Sequence, residues 1–423
     1  MPDTAISKRA IWLAILVAAL GYFVDIFDLV LFGVVRKASL ADLGVPADQI
    51  ARVGALLINC QMTGMLVGGV VFGILGDRRG RVSVLFGSIL TYSLANIANG
   101  FVDSVPAYAT WRFLAGVGLA GELGAGITLV SELMSKETRG IGTTVVAAVG
   151  LLGALAASLV GTTEGLDWRT AYFIGGGLGL LLLGLRIGVA ESGLFARLQR
   201  DDGVTRGNFL ALFASRARLG PYLRVIAIGI PIWYVVGLLV FFSPELGAAL
   251  GMETPPIAAD AIFWCYAGLS VGDLCSGLLS QWLRSRKRAV LLFLVLMVGA
   301  VVYYFTIGPR SGLAFKIGCF LCGLGSGYWA VFVTMAAEQF GTNLRATVTT
   351  SVPNFVRGTV PLLITAYELL RDARLDPSAG DAARGIGPVG AAIAVGVVVL
   401  AVAFVTLRGL RETYARDLDF VEH

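Results

Sequence analysis

The stretch GILGDRRGR, residues 73–81, lies between two long apolar runs, near residues 50–75 and 82–102. A helix needs about 20 apolar residues to cross roughly 30 Å of hydrocarbon. Each run is long enough for that, and the charged stretch between them is typical of a loop at a membrane face. This segment therefore predicts two membrane-spanning helices joined by a short basic loop.

The composition of the whole chain is that of a membrane protein. Of its 423 residues, 57% are hydrophobic and 14% are charged, and the mean hydropathy is +0.80, whereas a soluble domain carries about 25% charged residues. So much apolar surface requires lipid to cover part of it, and the 55 glycines suit closely packed membrane helices. The basic residues behind the net charge of +5 cluster between apolar runs. They indicate membrane loops and argue against nucleic acid as a partner.

The apolar runs predict an all-α membrane protein with twelve spans. The spans lie near residues 10–35, 50–75, 82–102, 106–134, 141–162, 168–189, 220–248, 257–283, 289–308, 312–340, 346–370 and 387–408. A polar stretch, residues 191–218, separates two sets of six spans. We therefore predict an N-terminal six-helix bundle over residues 1–190, a cytoplasmic linker over 191–218 and a C-terminal six-helix bundle over 219–423.

The loops predict the orientation. Lys and Arg are concentrated on the side of the membrane that holds the first residues, and this side is cytoplasmic by the positive-inside rule. Both termini are then cytoplasmic in a multi-pass protein of the cell inner membrane, and MPDTAISKRA, without a small-residue cleavage site, is a cytoplasmic tail. The loop GLLSQWLRSRK, residues 277–287, echoes residues 73–81. Such a repeat is typical of transporters whose binding site lies between two bundles.

The loop at residues 73–81 resembles the signature loop of the major facilitator superfamily, G-x-x-x-D-R-x-G-R. The match is carried by Gly73, Gly76, Asp77, Arg78, Gly80 and Arg81. The resemblance implies the major facilitator fold, with twelve transmembrane helices in two six-helix bundles, a monomer and no cofactor. We predict that these residues form a conformational gate. In it, Asp77 accepts hydrogen bonds from a neighbouring helix end or arginine and locks one state of the rocking halves.

Further stretches resemble the metabolite:proton symporter branch of that superfamily. They are DIFDLVLFG at residues 25–33, RFLAGVGLAGELGA at 112–125, AESGLF at 190–195 and, less closely, EQFGTNLRA at 338–346. The chain departs from the branch at Asp25, which replaces a glutamate, and at Ala115, which replaces a glutamine. The resemblance implies proton-coupled symport of a small metabolite, in a branch that includes carriers of dicarboxylates and betaines.

Ionisable residues inside the predicted spans are the candidate proton carriers, because a charge at mid-bilayer is costly without a partner or a function. Asp25 and Asp28 share one face of the first helix, and two close carboxylates in a low-dielectric cavity do not ionise easily together. We predict that Asp28 exchanges its proton as Arg112 approaches or leaves it. The alternative is a static bridge between the two. Glu122 is either a second protonation site or a structural acceptor.

Arg357, near the middle of the eleventh span, is the candidate ligand for an anionic substrate. Its guanidinium offers bidentate donors to a carboxylate, and no acidic residue lies three or four positions away. The alternative is a bridge to Asp28, Glu122 or Asp273. The other candidates for the substrate site are Asn354, Tyr22, Trp233, Tyr234, Tyr328 and Trp329. Ordinary core or lipid-facing packing is the simpler alternative for each aromatic residue.

These residues predict a secondary active transporter that carries a small organic anion, a carboxylate, together with protons. The alternatives are a sugar or betaine carrier in which Arg357 forms a salt bridge, a drug:proton antiporter, and a sensor that binds without transport. The sequence contains no nucleophile–base arrangement, metal-ligand cluster, P-loop or dinucleotide-binding motif, so neither enzymatic activity nor a bound metal or cofactor is expected. Clustered carboxylates leave sodium open as the coupling ion.

Overall fold

The computed structural model describes residues 8–134, 139–163, 165–185, 209–372 and 385–416, and these ranges are helical without a β-strand. The first half forms α1 (Lys8–Asp42), α2 (Ile50–Arg79), α3 (Arg81–Asn99), α4 (Val105–Leu119), α5 (Glu122–Leu133), α6 (Arg139–Thr162) and α7 (Trp168–Leu185). The second half forms α8 (Arg216–Tyr234), α9 (Ser243–Ala249), α10 (Ala258–Trp282), α11 (Arg286–Thr306), α12 (Gly312–Ser326), α13 (Trp329–Gln339), α14 (Arg345–Arg357), α15 (Val360–Asp372) and α16 (Gly387–Arg408). Short turns of other helical types are Phe209–Leu212, Val235–Val240 and Gly308–Arg310.

Within the described ranges, eleven stretches are long and apolar enough to cross a membrane. The remaining predicted span, residues 346–370, is the pair α14 and α15. Each of these two helices has only 13 residues, and Gly358 and Thr359 separate them. The predicted fold with twelve helices is confirmed, but its fourth, seventh, tenth and eleventh spans are each broken into two α-helices.

Two helices differ from the predicted spans in ways that matter for the site. Helix α1 runs to Asp42, past the predicted end at residue 35, because Val35 and Leu40 still pack in the core. The seventh span contains Pro231, and a π-helical turn, Val235–Val240, follows it. Proline removes a backbone donor from the helix, and π turns are frequent at functional sites.

Glycines bring the second and fourth spans into direct backbone contact. A Cβ atom on Gly64 of α2 or on Gly116 of α4 would lie 2.1 Å from a carbonyl oxygen of the other helix. The eighth and tenth spans repeat this reciprocal contact, since a Cβ atom on Gly268 of α10 or on Gly323 of α12 would lie 2.0 or 1.8 Å from a carbonyl oxygen. The same packing in both halves is a structural counterpart of the repeat seen in the sequence.

The two halves meet along two helix pairs, α2 with α14 and α6 with α10. Gly69 of α2 packs on Asn354, and Gly277 of α10 packs on Thr144 of α6. Most of the predicted linker, up to residue 208, lies outside the described residues, as do residues 1–7 and 417–423. The predicted domain boundaries and the cytoplasmic location of both termini therefore stay predictions.

Candidate functional site

A narrow cavity lies between the two halves, near the middle of the protein. Its polar and aromatic walls are Tyr22 of α1, Trp233 of α8, Tyr266 of α10, Trp329 of α13 and Arg357 of α14. None of these side chains is more than 3% exposed, so the cavity is closed toward both membrane faces. This is the position that the sequence repeat predicts for a binding site.

Arg357 is the cation of this cavity. Its Nη1 donates a hydrogen bond to Asn354 Oδ1 at 3.3 Å, whereas Nε and Nη2 are buried without a hydrogen-bond partner. The guanidinium carbon lies 5.7 Å from the ring centroid of Trp233 and 5.4 Å from that of Trp329. In the described part of the chain, Arg357 forms no ion pair, and the bridges to Asp28, Glu122 or Asp273 are not made. A buried guanidinium with two unused nitrogens is the environment that an anionic ligand stabilises.

Two carboxylates lie close enough to act on the cavity. The charges of Arg357, Asp25 and Asp273 all act on the hydroxyl group of Tyr22. Asp273 accepts a hydrogen bond from the backbone N–H of Ala330 at 3.0 Å through Oδ1, which caps the start of α13. The break between α12 and α13 therefore holds a carboxylate beside the cavity.

Asn354 positions the arginine. Its amide nitrogen donates hydrogen bonds to the carbonyl oxygens of Ala120 at 2.8 Å and of Thr350 at 2.6 Å, and its oxygen accepts from Arg357. Asn354 was predicted to bind substrate directly. Its polar atoms are used within the protein in this structure, where Asn354 orients Arg357. Direct binding of substrate by Asn354 stays a prediction.

The five predicted aromatic residues divide into two groups. Tyr22, Trp233 and Trp329 line the cavity as predicted. Tyr234 instead donates a hydrogen bond to the Ala392 carbonyl at 2.9 Å, and Tyr328 donates one to the Ile228 carbonyl at 2.8 Å. Both hydroxyl groups are thus committed inside the C-terminal half. Neither residue lines the cavity, since each is the chain neighbour of a lining tryptophan and neighbouring residues point about 100° apart around a helix. Substrate binding by Tyr234 and Tyr328 stays a prediction.

Asp28 and Arg112 lie together in the N-terminal half, where both are 0% exposed and the charge of Arg112 acts on Asp28. Arg112 donates a hydrogen bond to Gln61 Oε1 and lies 5.1 Å from the ring centroid of Phe32. Among the described residues it forms no ion pair with Asp28, whose carboxyl group is instead close to the side chain of Asn96. The structure brings this predicted pair close without joining it, unlike a static bridge.

The other two predicted proton carriers lie in separate places. Asp25 acts on Tyr22 and Tyr266 beside the cavity, so the two carboxylates of α1 serve different polar clusters although they are one turn apart. Glu122 is the first residue of α5 and is 1% exposed. The positive end of that helix stabilises its carboxylate, and both predicted roles of Glu122 stay open.

The gate residues of the signature loop bind the opposite half. Asp77 accepts hydrogen bonds from the backbone N–H of Ala346 at 3.1 Å, from the N–H of Thr347 at 2.8 Å and from the Thr347 hydroxyl at 2.6 Å. These two residues belong to the first turn of α14, so Asp77 caps that helix. Gly73 lets the helices approach, since its Cβ would lie 3.0 Å from the Cα of Thr347.

The other residues of the signature loop lie at the junction between α2 and α3. Gly80 joins α2 to α3 with φ of +97°, a backbone conformation that favours glycine. Arg78 lies in the last turn of α2 and is exposed, and Arg81 begins α3.

Sequence reasoning missed an ion pair inside the C-terminal half. Arg286 at the start of α11 binds Glu338 of α13 at 3.2 Å, and the two side chains are 3% and 1% exposed. Arg286 also donates to the Ser280 hydroxyl at 2.8 Å. The stretch at residues 338–346, which resembles the symporter branch, was the available signal for Glu338.

A second missed ion pair links the two halves at the face opposite the Asp77 cap. Arg36, near the end of α1, binds Glu245 of α9 at 2.8 Å. Arg36 is 1% exposed and also lies 5.2 Å from the ring centroid of Phe242. With Asp77 at one face and Arg36 at the other, the two halves are held together at both ends of the cavity.

Several known proteins are similar to this chain in sequence or in fold. A Haemophilus influenzae protein named for metabolite transport is 29% identical over 420 residues, which cover 93% of this chain and 91% of its own. The 3-(3-hydroxy-phenyl)propionate transporter of Escherichia coli is 28% identical over 327 residues, or 75% of this chain and 79% of its own. The solved structure of the proton:xylose symporter XylE superposes with a TM-score of 0.72 over 98% of both chains at 14% identity, which shows the shared fold.

A family profile matches most of the chain. The profile described as Major Facilitator Superfamily covers residues 18–360, which include the Asp77 loop, both missed ion pairs and Arg357. The curated relatives named above are transporters rather than enzymes. The chain therefore belongs to the Major Facilitator Superfamily and is a multi-pass membrane transporter.

Proposed function

We propose that the protein is a secondary active transporter of the inner membrane, which carries a small organic carboxylate together with protons by alternating access. The observation that carries this proposal is the buried guanidinium of Arg357, with two nitrogens that have no partner, in a cavity closed toward both faces. A carboxylate supplies two acceptor oxygens in the plane of the guanidinium fork.

The cavity is nearly filled in this closed state, with a volume of about 10 Å³, and its lining residues favour a carboxylate with a flat apolar body. The rings of Trp233 and Trp329 lie on the sides of Arg357, and Tyr22 and Tyr266 complete the wall. Aromatic walls favour a planar body through offset or edge-on ring contacts. The E. coli relative is named for an aromatic carboxylate, 3-(3-hydroxy-phenyl)propionate, and this name supports the same class of substrate here.

Proton coupling is assigned to Asp28 and Arg112. In the closed structure Arg112 is bound to Gln61, and Asp28 is 0% exposed, with the neutral side chain of Asn96 beside it and no cationic side chain of the described residues bound to it. A buried carboxyl group in such surroundings is stabilised by a proton. When the halves rock and Arg112 moves to Asp28, the ionised carboxylate gains a cation and the proton is released. Each cycle thereby moves a proton across the membrane.

The experiment is uptake into proteoliposomes that contain a pH-sensitive dye, with a panel of aromatic and aliphatic carboxylates, sugars and betaines. We expect internal acidification with one carboxylate. Arg357→Ala should reduce this uptake at least about tenfold, because it removes charged hydrogen bonds to the substrate. Arg310→Ala, at an exposed loop position, is the matched control and should transport normally.

Two results would contradict the proposal. Acidification with a sugar or a betaine but with no carboxylate would assign a neutral or zwitterionic substrate. Full carboxylate transport by Arg357→Ala would reassign Arg357 to the structure of the protein.

A further inference from the structure

A groove rich in arginine lies at the membrane face that carries the end of α16. It is formed by the start of α8, by the turn after α13 and by the residues that follow α16, and it encloses about 560 Å³. Its charged lining residues are Arg216, Arg218, Arg224, Arg411 and Arg416. No aspartate or glutamate of the described chain lines this groove, which we call the arginine groove.

Three of these arginines, Arg216, Arg224 and Arg411, have no acidic partner among the described residues. Arg224 donates to the Gly409 carbonyl at 2.7 Å, and Arg218 donates to the Ala211 carbonyl at 3.3 Å. Arg216 and Arg411 are exposed. Over the ranges that the structure describes, neither they nor Arg224 form an ion pair. The guanidinium groups of Arg216, Arg224 and Arg411 share one groove, so their positive charges favour an anion that enters it.

The geometry favours phosphate oxygens. Guanidinium groups bind phosphate through parallel, bidentate hydrogen bonds, and basic pockets between membrane helices at the cytoplasmic side bind the headgroups of anionic lipids. The arginine groove lies on the face that the loop charges predict to be cytoplasmic, at the ends of two membrane-spanning helices, α8 and α16.

Exposed apolar side chains lie close to the groove along the chain. Leu223, which precedes Arg224 on α8, is 51% exposed, and Leu210 and Phe213 are 74% and 46% exposed. These side chains lie beside the start of α8. A ligand with a phosphate at one end and hydrocarbon at the other would contact both surfaces.

We propose that the arginine groove binds the headgroup of an anionic phospholipid such as phosphatidylglycerol. The bound phosphate joins the start of α8, the turn after α13 and the residues after α16. It therefore stabilises the basic end of the C-terminal half. The site is separate from the substrate cavity and does not depend on which substrate is carried.

The test uses the full-length protein purified in detergent and measures thermal unfolding and retained lipid, the latter by native mass spectrometry. Phosphatidylglycerol should be retained and should raise the unfolding temperature, while phosphatidylcholine should not. Arg216→Ala with Arg411→Ala should weaken the response to phosphatidylglycerol at least about tenfold, since each arginine near an anionic lipid surface contributes appreciably. Arg284→Ala with Arg288→Ala is the matched control: both arginines are exposed and outside the groove, Arg284 in the turn after α10 and Arg288 in the first turn of α11.

Three outcomes would overturn the proposal. One is equal retention of phosphatidylcholine and phosphatidylglycerol. Another is an equal loss of the lipid response in the control variant. The third is full stabilisation by millimolar inorganic phosphate that disappears in Arg216→Ala/Arg411→Ala, which would assign the groove to a soluble phosphate ligand instead of a lipid.

Discussion

Arg357 and Arg112 are both buried arginines, but their side chains have different neighbours. Arg357 lies between two tryptophan rings at the interface of the halves, with two nitrogens unused. Arg112 lies within one half, bound to Gln61 and within electrostatic range of Asp28. In the mechanism that we propose, Arg357 contacts the substrate that enters between the halves. Arg112 controls the charge of Asp28, which the substrate does not need to touch.

This separation predicts the behaviour of Asp28→Asn. The variant holds a neutral side chain in place of the carboxyl group, so it cannot release a proton when Arg112 approaches. We expect proton-driven accumulation to fall to near zero, while exchange of labelled for unlabelled substrate across the liposome membrane continues. Both rates are measured in the same proteoliposomes. Full proton-driven uptake by Asp28→Asn would remove Asp28 from the coupling mechanism.

Arg357→Lys distinguishes the effect of the positive charge of Arg357 from the effect of its planar guanidinium group. Lysine keeps the positive charge but loses the planar fork and the contact with the ring faces. We expect KM for the carboxylate to rise roughly tenfold with a smaller change in kcat. A KM equal to that of the wild type would show that only the charge of Arg357 matters.

The residues of the site could be predicted only in part. Ionisable and aromatic residues inside apolar spans stand out in a sequence, and two of the candidates chosen in this way, Arg357 and Trp233, line the cavity. The positions of Tyr234 and Tyr328 away from the cavity could not be predicted, because spans that are apolar all round do not reveal which side faces the partner half. Arg36 and Glu245 were missed because each lies at a helix end, where charged residues are common.

At the scale of the element, α14 begins with a cap supplied by the opposite half. Asp77→Ala removes the acceptor for the N–H groups of Ala346 and Thr347. Loss of an N-cap costs about 1 kcal/mol. Amide hydrogen exchange of residues 345–350 should therefore become roughly fivefold faster. Asp103→Ala, at an exposed loop position, should leave that exchange unchanged, and unaltered exchange in Asp77→Ala would contradict the capping role.

The segment after α16 is held by a second carboxylate, Glu412. It accepts hydrogen bonds from the hydroxyl of Ser285 and from the backbone N–H groups of Arg286 and Tyr414. Partial burial acts to raise the pKa of Glu412, but these hydrogen bonds outweigh it and hold the pKa below its usual 4.5. Its contribution to stability is therefore complete above the unfolded-state pKa and is lost as the pH falls through the lower folded-state pKa.

Glu412→Gln tests this linkage. We expect the variant to unfold at a lower temperature than the wild type near pH 7, and the difference should shrink below about pH 4.5 as the wild-type carboxylate becomes protonated. The measurement is thermal unfolding in detergent across that pH range. A difference that is independent of pH would assign the effect to packing instead of to the charge of Glu412.

The helices themselves were predicted well where hydropathy alone decides them. Long apolar runs gave the spans, but the breaks between α4 and α5, α12 and α13, and α14 and α15 lie inside such runs. A helix can be interrupted where neighbouring groups form hydrogen bonds with the backbone groups that lose their partners inside the helix. Asp273 does this for the backbone N–H of Ala330. That information is distributed over distant parts of the chain and is not readable from one span.

At the scale of the whole molecule, the halves are closed at two faces by different chemistry. One face uses the Asp77 cap, and the other uses the ion pair between Arg36 and Glu245. Glu245→Gln should weaken only the second closure. Spin labels on Asp103 and Glu253, exposed positions in the two halves, should then show a severalfold larger population at long distances in pulsed resonance measurements. An unchanged distance distribution would show that Glu245 does not hold this face closed.

Helix α14 has one further consequence. Its first turn is held by Asp77, and its last residue is Arg357, so the gate contact and the proposed substrate contact lie about 16 Å apart on one helix. A displacement of one end of this helix is passed to the other end directly. If Arg357 binds the substrate as proposed, release of the Asp77 contact also moves the substrate contact, so opening of that face and weakening of substrate binding occur together.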